Sequence, residues 1–244
     1  MGEDDLAAGL LSSASLQRVL NSHPDMKKVI PSQWFGKRSL RWVVVAFLLC
    51  VSIGLQAHPH VLVDMRVTPE LDSAGNLIAL HQEWRFDTFY SVMLREEMHA
   101  GGEAGREKLL QDIKANLAQH GYYTRLYRDS ESVHLSDAEN QRMIEDGRNL
   151  EFHFTLPLSE PVTANGHELR YRIYEPTYYI EMLHAESDAL NLGEMAARCE
   201  SELDKPSPTS EQLQRAAEVD EDGVPEDPDL GQHFAETMTI RCHD

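Results

Sequence analysis

The chain has 244 residues, with 22 Lys and Arg against 41 Asp and Glu, a formal net charge of −19 and three cysteines. So acidic a surface repels phosphate backbones and anionic lipids, which argues against nucleic-acid binding and fits the capture of cations. The length beyond the first sixty or so residues suits one domain with a full core.

Lys27, Lys28, Lys37, Arg38 and Arg41 precede an apolar run from Trp42 to Leu55, and Leu55-Gln56-Ala57 ends it on a small residue. A basic flank, a short apolar stretch and a small terminal residue mark a secretory signal peptide, and a membrane-spanning helix would need about 20 apolar residues. Residues 1–57 are therefore expected to be removed by cleavage between Ala57 and His58. Met26 is the better start, because Glu3, Asp4, Asp5 and Asp25 do not suit the charged region of a signal. Lipid attachment at Cys50 is rejected because Leu49 before it is too large. An uncleaved signal would be the only membrane attachment expected. Cleavage removes six basic and four acidic residues, leaving 16 and 37 and a net charge of −21. The mature protein is expected in the periplasm. In that oxidising compartment Cys199 and Cys242 are expected to pair, closing a loop whose constraint stabilises by very roughly 3 to 4 kcal/mol.

Val61, Val63, Met65 and Val67 alternate with His60, Leu62, Asp64 and Arg66, the period of a strand with one buried face. Asp72-Ser73-Ala74-Gly75-Asn76 carries turn residues, and Ile78, Leu80, Trp84 and Phe86 mark a second strand whose other face holds His81, Glu83, Arg85 and Asp87. Thr88 to Met98 predicts a helix capped by Asp87 or Thr88, and Leu109, Leu110, Ile113 and Leu117 line a second helix between Gly105 and Gly121. The remainder reads as β, over 123–127, 150–158, 169–174, 178–185 and 237–242. The fold expected is α+β, a mostly antiparallel, sandwich-like sheet structure with two helices inserted after the first hairpin. It divides into an α+β domain over 58–199, an acidic segment over 200–233 and a C-terminal strand over 234–244 tied back by the disulfide. The acidic segment holds eleven acidic and two basic residues with four prolines, which predicts an exposed, mobile loop. Within it, Glu218, Asp220, Asp222, Gly223, Glu226 and Asp229 fall at spacings like those of a calcium-binding loop. The match is poor, because Pro225 takes an apolar strand position and Asp229 replaces the bidentate glutamate.

Cleavage at Ala57 would place an α-amine and an imidazole on His58, two residues from the imidazole of His60. Pro59 has no N–H to lose, which closes the square-planar mode that deprotonates the second and third amides. What remains resembles a histidine brace, in which the amine and side chain of His58 chelate a metal joined by His60. A hairpin closing around Pro69 to Asn76 would pair residues whose numbers sum to about 145, bringing Asp64 opposite His81, His60 opposite Arg85 and His58 toward Asp87. Asp87, His81 and Asp64 are thus the third-ligand candidates, for nickel, cobalt, zinc or copper. The plainer alternatives are a solvated N-terminus, Asp87 as a helix cap and His81 paired on an open sheet face. His153 and His184 read as surface residues. Tyr178 and Tyr179 read as packing residues after Pro176, with a ligand contact as the alternative. No nucleophile elbow, phosphate loop or dinucleotide glycine pattern is present, so no enzyme is expected.

His58-Pro59-His60-Val61, the run Trp84-Arg85-Phe86-Asp87-Thr88-Phe89-Tyr90-Ser91 and Tyr174-Glu175-Pro176-Thr177-Tyr178-Tyr179 together resemble the domain-of-unknown-function 1007 family of secreted bacterial proteins. The likeness spans about residues 58 to 199, and the long acidic segment before Cys242 departs from the pattern. The resemblance implies a periplasmic component of an ABC-type transport system, with an inner-membrane permease of the nickel/cobalt type as partner. The expected function is a metal-binding accessory protein of such a system. The alternatives are an interaction module that binds no metal and, third, a copper enzyme using the brace.

Overall fold

Residues 61–186, 189–218 and 227–243 are described in the computed structural model. The signal segment, Ala57, His58, His60 and the calcium-like residues Asp220, Asp222, Gly223 and Glu226 lie outside them.

Alternation of valines with polar residues produces β1 (Val61–Leu71), and β2 (Asn76–Phe86) returns beside it. Two helices follow, α1 (Thr88–Ala100) and α2 (Gly102–Gln119). The chain then forms β3 (Thr124–Arg128), β4 (Glu131–Val133), β5 (Glu139–Asp146), β6 (Asn149–Thr163), β7 (Glu168–Ile173) and β8 (Ile180–His184). It ends with β9 (Cys199–Asp204), α3 (Ser210–Glu218) and β10 (Thr237–Cys242). The strands make two five-stranded sheets, ordered β5-β6-β2-β1-β8 and β4-β3-β7-β10-β9. The ladders between these strands are antiparallel except that of β1 with β8. This is the α+β architecture, with both helices inserted after the first hairpin.

One apolar core joins the sheets. Val63, Met65, Trp84, Phe152 and Leu156 of the first sheet share it with Leu126, Tyr171, Ile173 and Ile240 of the second. Trp84 stacks on Tyr123 at 6.3 Å between ring centroids and meets Phe154 edge-on at 4.9 Å. Gln82 is satisfied across the seam: its amide donates to Thr124 Oγ1 at 3.1 Å and accepts from the Trp84 indole at 3.0 Å. Leaving such groups unpaired in an apolar interior would cost about 1 to 3 kcal/mol each.

The hairpin register corrects the one read from spacing. Asp64 lies opposite Arg85 and Thr68 opposite His81, so paired numbers sum to 149 rather than about 145. The turn is shorter than Pro69 to Asn76, because the Asp72 carboxylate folds it, accepting from the amides of Ala74 at 2.8 Å and Asn76 at 2.9 Å. The Asn76 side chain, followed by these backbone bonds, holds the Asp72 carboxyl below its ordinary range. Pro69 stays inside β1. The neighbouring Val67 amide points away from β2, to Ala189 O at 3.1 Å, and Pro69 falls on that same edge, where a missing N–H breaks no ladder bond.

The acidic segment also differs from the expected loop. Cys199–Asp204 pairs along β10 as the edge strand β9, and Ser210–Glu218 is helical. Edge strands tolerate charge on their open side, so Glu200, Glu202 and Asp204 suit this place although they hide its strand character. The helix starts at a reciprocal cap, in which Thr209 N donates to Gln212 Oε1 at 2.7 Å and Gln212 N to Thr209 Oγ1 at 3.3 Å. Cys199 and Cys242 are register partners and form a disulfide. Among the described residues no helix is long and apolar enough to cross a membrane.

Candidate functional site

The start of β1 is held from both sides. Val61 N donates to Tyr179 O at 3.4 Å, and Leu62 exchanges bonds with Asp87, its amide donating to Asp87 Oδ2 at 3.0 Å and its carbonyl accepting from Asp87 N at 2.9 Å. The other Asp87 oxygen accepts from Tyr90 N at 2.9 Å as the N-cap of α1. One carboxylate therefore caps a helix and pins the first strand, the helix-cap reading of this residue.

On the other side lies the turn Glu175-Pro176-Thr177-Tyr178-Tyr179, which carries the chain from β7 in one sheet to β8 in the other. The buried Glu175 carboxylate accepts from Thr177 N at 2.9 Å, Thr177 Oγ1 at 2.8 Å and Tyr179 N at 2.8 Å. Tyr178 takes a left-handed backbone, φ 63°, stacks on Phe234 at 3.9 Å and donates to Glu181 Oε1 at 3.1 Å. Tyr178 thus packs, with its hydroxyl on the Glu181 carboxylate, while Tyr179 is half exposed. Gly231 is required beneath this turn, since a Cβ there would stand 2.0 Å from Glu175 O.

The described third-ligand candidates do not converge. Asp64 and His81 sit four positions apart along the hairpin, which at ~3.3 Å per residue is roughly 13 Å. His81 is engaged elsewhere, Nδ1 with Thr155 Oγ1 at 2.9 Å and Nε2 with Glu70 at 2.8 Å. The pairing of Asp64 with His81 is therefore corrected to Thr68 with His81, for the turn geometry given above. The same shift of four residues makes Asp64 rather than His60 the partner of Arg85, and Leu62 rather than His58 the residue beside Asp87. Among the described residues no group of three His, Cys, Asp or Glu is placed to hold a metal ion. Asp229 is bonded to the Tyr174 hydroxyl at 3.3 Å, and Glu218 ends α3 instead of opening a calcium loop.

Two histidines read as surface residues are buried. His153 on β6 bonds Glu151 through Nε2 at 2.9 Å, with Arg142 on its other nitrogen at 3.4 Å. The His184 side chain is 0% exposed: Nδ1 faces Glu236 Oε2 at 2.9 Å and Nε2 faces the Tyr171 hydroxyl at 3.1 Å. Burial lowers the His184 pKa against the opposing pull of Glu236, and burial raises that of Tyr171 far above its ordinary value. A neutral imidazole then donates to the carboxylate and accepts from the phenol, bridging the two sheets. The signal was there to find, since His184 shares its strand face with the buried Met182.

Beside the start of β1, a half-open cavity of about 320 Å³ lies between the two helices and the first sheet. Val63, Phe86, Ile180 and Met182 form its floor, with Leu94, Ile113 and Leu117 from the helices. Tyr90 and Tyr123 line it too. Tyr122 and Tyr123 both take left-handed backbones, φ 53° and 55°, a conformation costing non-glycine residues roughly 1 to 2 kcal/mol each. Burial, reinforced by Glu175, pushes the Tyr123 phenol up to about 12, so it stays protonated.

Comparison with known proteins matches these elements to a family. A curated relative, an uncharacterized protein of Haemophilus influenzae, is 26% identical over 197 residues, covering 80% of this chain and 95% of the relative. The family profile matches residues 43–242, past Cys199 and through the whole of β10, further than the three motifs reach by themselves. The chain, with its pinned first strand, its Glu175 turn and its disulfide-closed edge, belongs to the family described as Protein of unknown function (DUF1007).

Proposed function

We propose that this protein is an exported accessory protein that binds a divalent transition metal as cargo and exchanges it with an inner-membrane metal permease. His58 and His60, with the α-amine freed by cleavage, would hold the ion. The observation that carries the reading is the pinned start of β1: Val61 and Leu62 are bonded to Tyr179 and Asp87, so a terminus at His58 begins three residues from a fixed point. A short tether limits the entropy lost when the donors close on an ion. Asp87, bonded to the Leu62 amide, is a carboxylate fixed at the start of β1 that would supply charge. The net charge of −19 favours cation approach. The disulfide accords with an oxidising compartment, and the transport role rests on the company the family is described as keeping.

Native mass spectrometry with metal analysis on the exported protein tests this directly. The first residue should be His58, with one equivalent of nickel, cobalt, zinc or copper retained. An extra alanine before His58 separates the amine from the imidazole, and His60→Ala removes a ligand. Either change should weaken binding tenfold or more, about 1.4 kcal/mol. Affinity should also fall in mild acid, because the metal displaces the amine's proton. Unchanged binding in both variants would reject the site. A non-metal interaction module is the second reading, favoured by Phe89, Val92 and Met93, which lie exposed on one face of α1.

A further inference from the structure

The cavity between the helices and the first sheet has the composition of a small-molecule site. Its volume, about 320 Å³, lies at the lower end of the range of ligand pockets, roughly 300 to 1,000 Å³. Most of the wall is apolar, formed by Val63, Phe86, Leu94, Leu117, Ile180 and Met182. Water held against such walls finds few hydrogen-bond partners, so displacing it is favourable.

The polar groups of the wall narrow the ligand. Tyr123 is only 9% exposed, and neither its hydroxyl nor that of Tyr90 has a hydrogen-bond partner among the described residues. The Tyr123 and Tyr90 hydroxyls are not among the sealed polar atoms left without a partner, so they remain open to one, and a protonated phenol offers both a donor and an acceptor. Its position is imposed by the left-handed turn at Tyr122 and Tyr123 and by the stack on Trp84. Charge, by contrast, is already paired. Asp112 at the rim is bonded to Lys108 at 2.5 Å, and the Glu175 oxygens are taken by Thr177 and Tyr179. A charged ligand would lose hydration without gaining a counter-ion.

We propose that this cavity binds a small neutral molecule with an aromatic or branched apolar body and one oxygen, the body against the apolar floor and the oxygen bonded to Tyr123 or Tyr90. Benzyl alcohol is a suitable probe, and toluene is its counterpart without the oxygen. Calorimetry and ligand-observed NMR on the full chain should show saturable one-to-one binding of benzyl alcohol, with the oxygen favouring it over toluene by about fivefold, the scale of one net hydrogen bond. The combined Tyr90→Phe and Tyr123→Phe variant keeps the shape of the wall and should erase that preference while still binding toluene. Ile113→Trp fills the cavity and should weaken both probes at least tenfold. Because the tryptophan variant can fail to fold, the phenylalanine variant carries the test on its own, with near-ultraviolet circular dichroism reporting that its core is intact. Absence of saturable binding to the unmodified chain, or an unchanged preference for the alcohol in the phenylalanine variant, would overturn the proposal.

Discussion

Two histidine–glutamate pairs of almost equal length occupy opposite environments in this protein. His184 meets Glu236 at 2.9 Å in the seam between the sheets, with side chains 0% and 5% exposed, and His81 meets Glu70 at 2.8 Å on the outer face, with side chains 43% and 45% exposed. Distance alone would rank them together. Water separates them: at the outer pair it screens the interaction and competes for each hydrogen bond, whereas in the seam each polar atom relies on its protein partners. Asp87 stands between these extremes, half-buried and bonded to two backbone amides.

The largest effect is expected at the buried pair. His184→Ala strips a donor from Glu236 and an acceptor from Tyr171 in an interior that cannot supply replacements, and should cost about 3 to 5 kcal/mol in urea denaturation. A loss below about 1 kcal/mol would show that water reaches the seam and would erase the contrast.

Acid should separate the pairs next. Because burial lowers the His184 pKa, the folded protein binds fewer protons there than the unfolded chain does between the lowered value and the ordinary one near 6.5. The contribution to stability is complete above about pH 6.5 and is lost as pH falls through that window. Melting temperatures at about pH 7.5 and 5.5 should therefore differ more for the unmodified protein than for His184→Gln. Equal differences would mean that the imidazole is not held neutral.

Asp87→Ala tests the middle case and should cost about 1 to 2 kcal/mol, the range for loss of a helix cap. Amide exchange should rise at Leu62 and Tyr90 together, since one carboxylate serves both. Exchange rising at Tyr90 alone would break the link between cap and strand. The smallest effect belongs to His81→Ala, under about 1 kcal/mol and smaller still in high salt. A larger loss would mean that the bond to Thr155, not the exposed glutamate, carries this residue.

Much of the architecture is readable from periodicity. The alternation of valines in β1, the aromatic face of β2 and the leucine stripe of α2 each repeat for long enough to outweigh local exceptions, and all three elements form where the spacing places them. β5, β9 and α3 are not legible in the same way. β5 is a mostly polar edge strand interrupted by a bulge near Asn140, φ 53°, and the charge that protects β9 as an edge also disguises it. The start of α3 was announced by Thr209-Ser210-Glu211-Gln212, a capping signature masked by the prolines before it. At the site, the cap at Asp87 follows from residue type and position, whereas its bond to Leu62 depends on which residues the hairpin pairs.

What the sequence by itself determined was the class of each segment: which faces are apolar, where the turns fall, which cysteines can pair and which histidines stand beside the expected cleavage site. Those properties are local, set by a residue and its neighbours within one turn or strand. Only the tertiary structure decided the register, because the Asp72 turn shifted every pair of the hairpin and separated Asp64 from His81. It also decided which polar residues lost their water. His184 and Tyr123 are ordinary in the chain and become consequential where a second layer of apolar surface closes over them, since desolvation is a property of the neighbours that folding brings in.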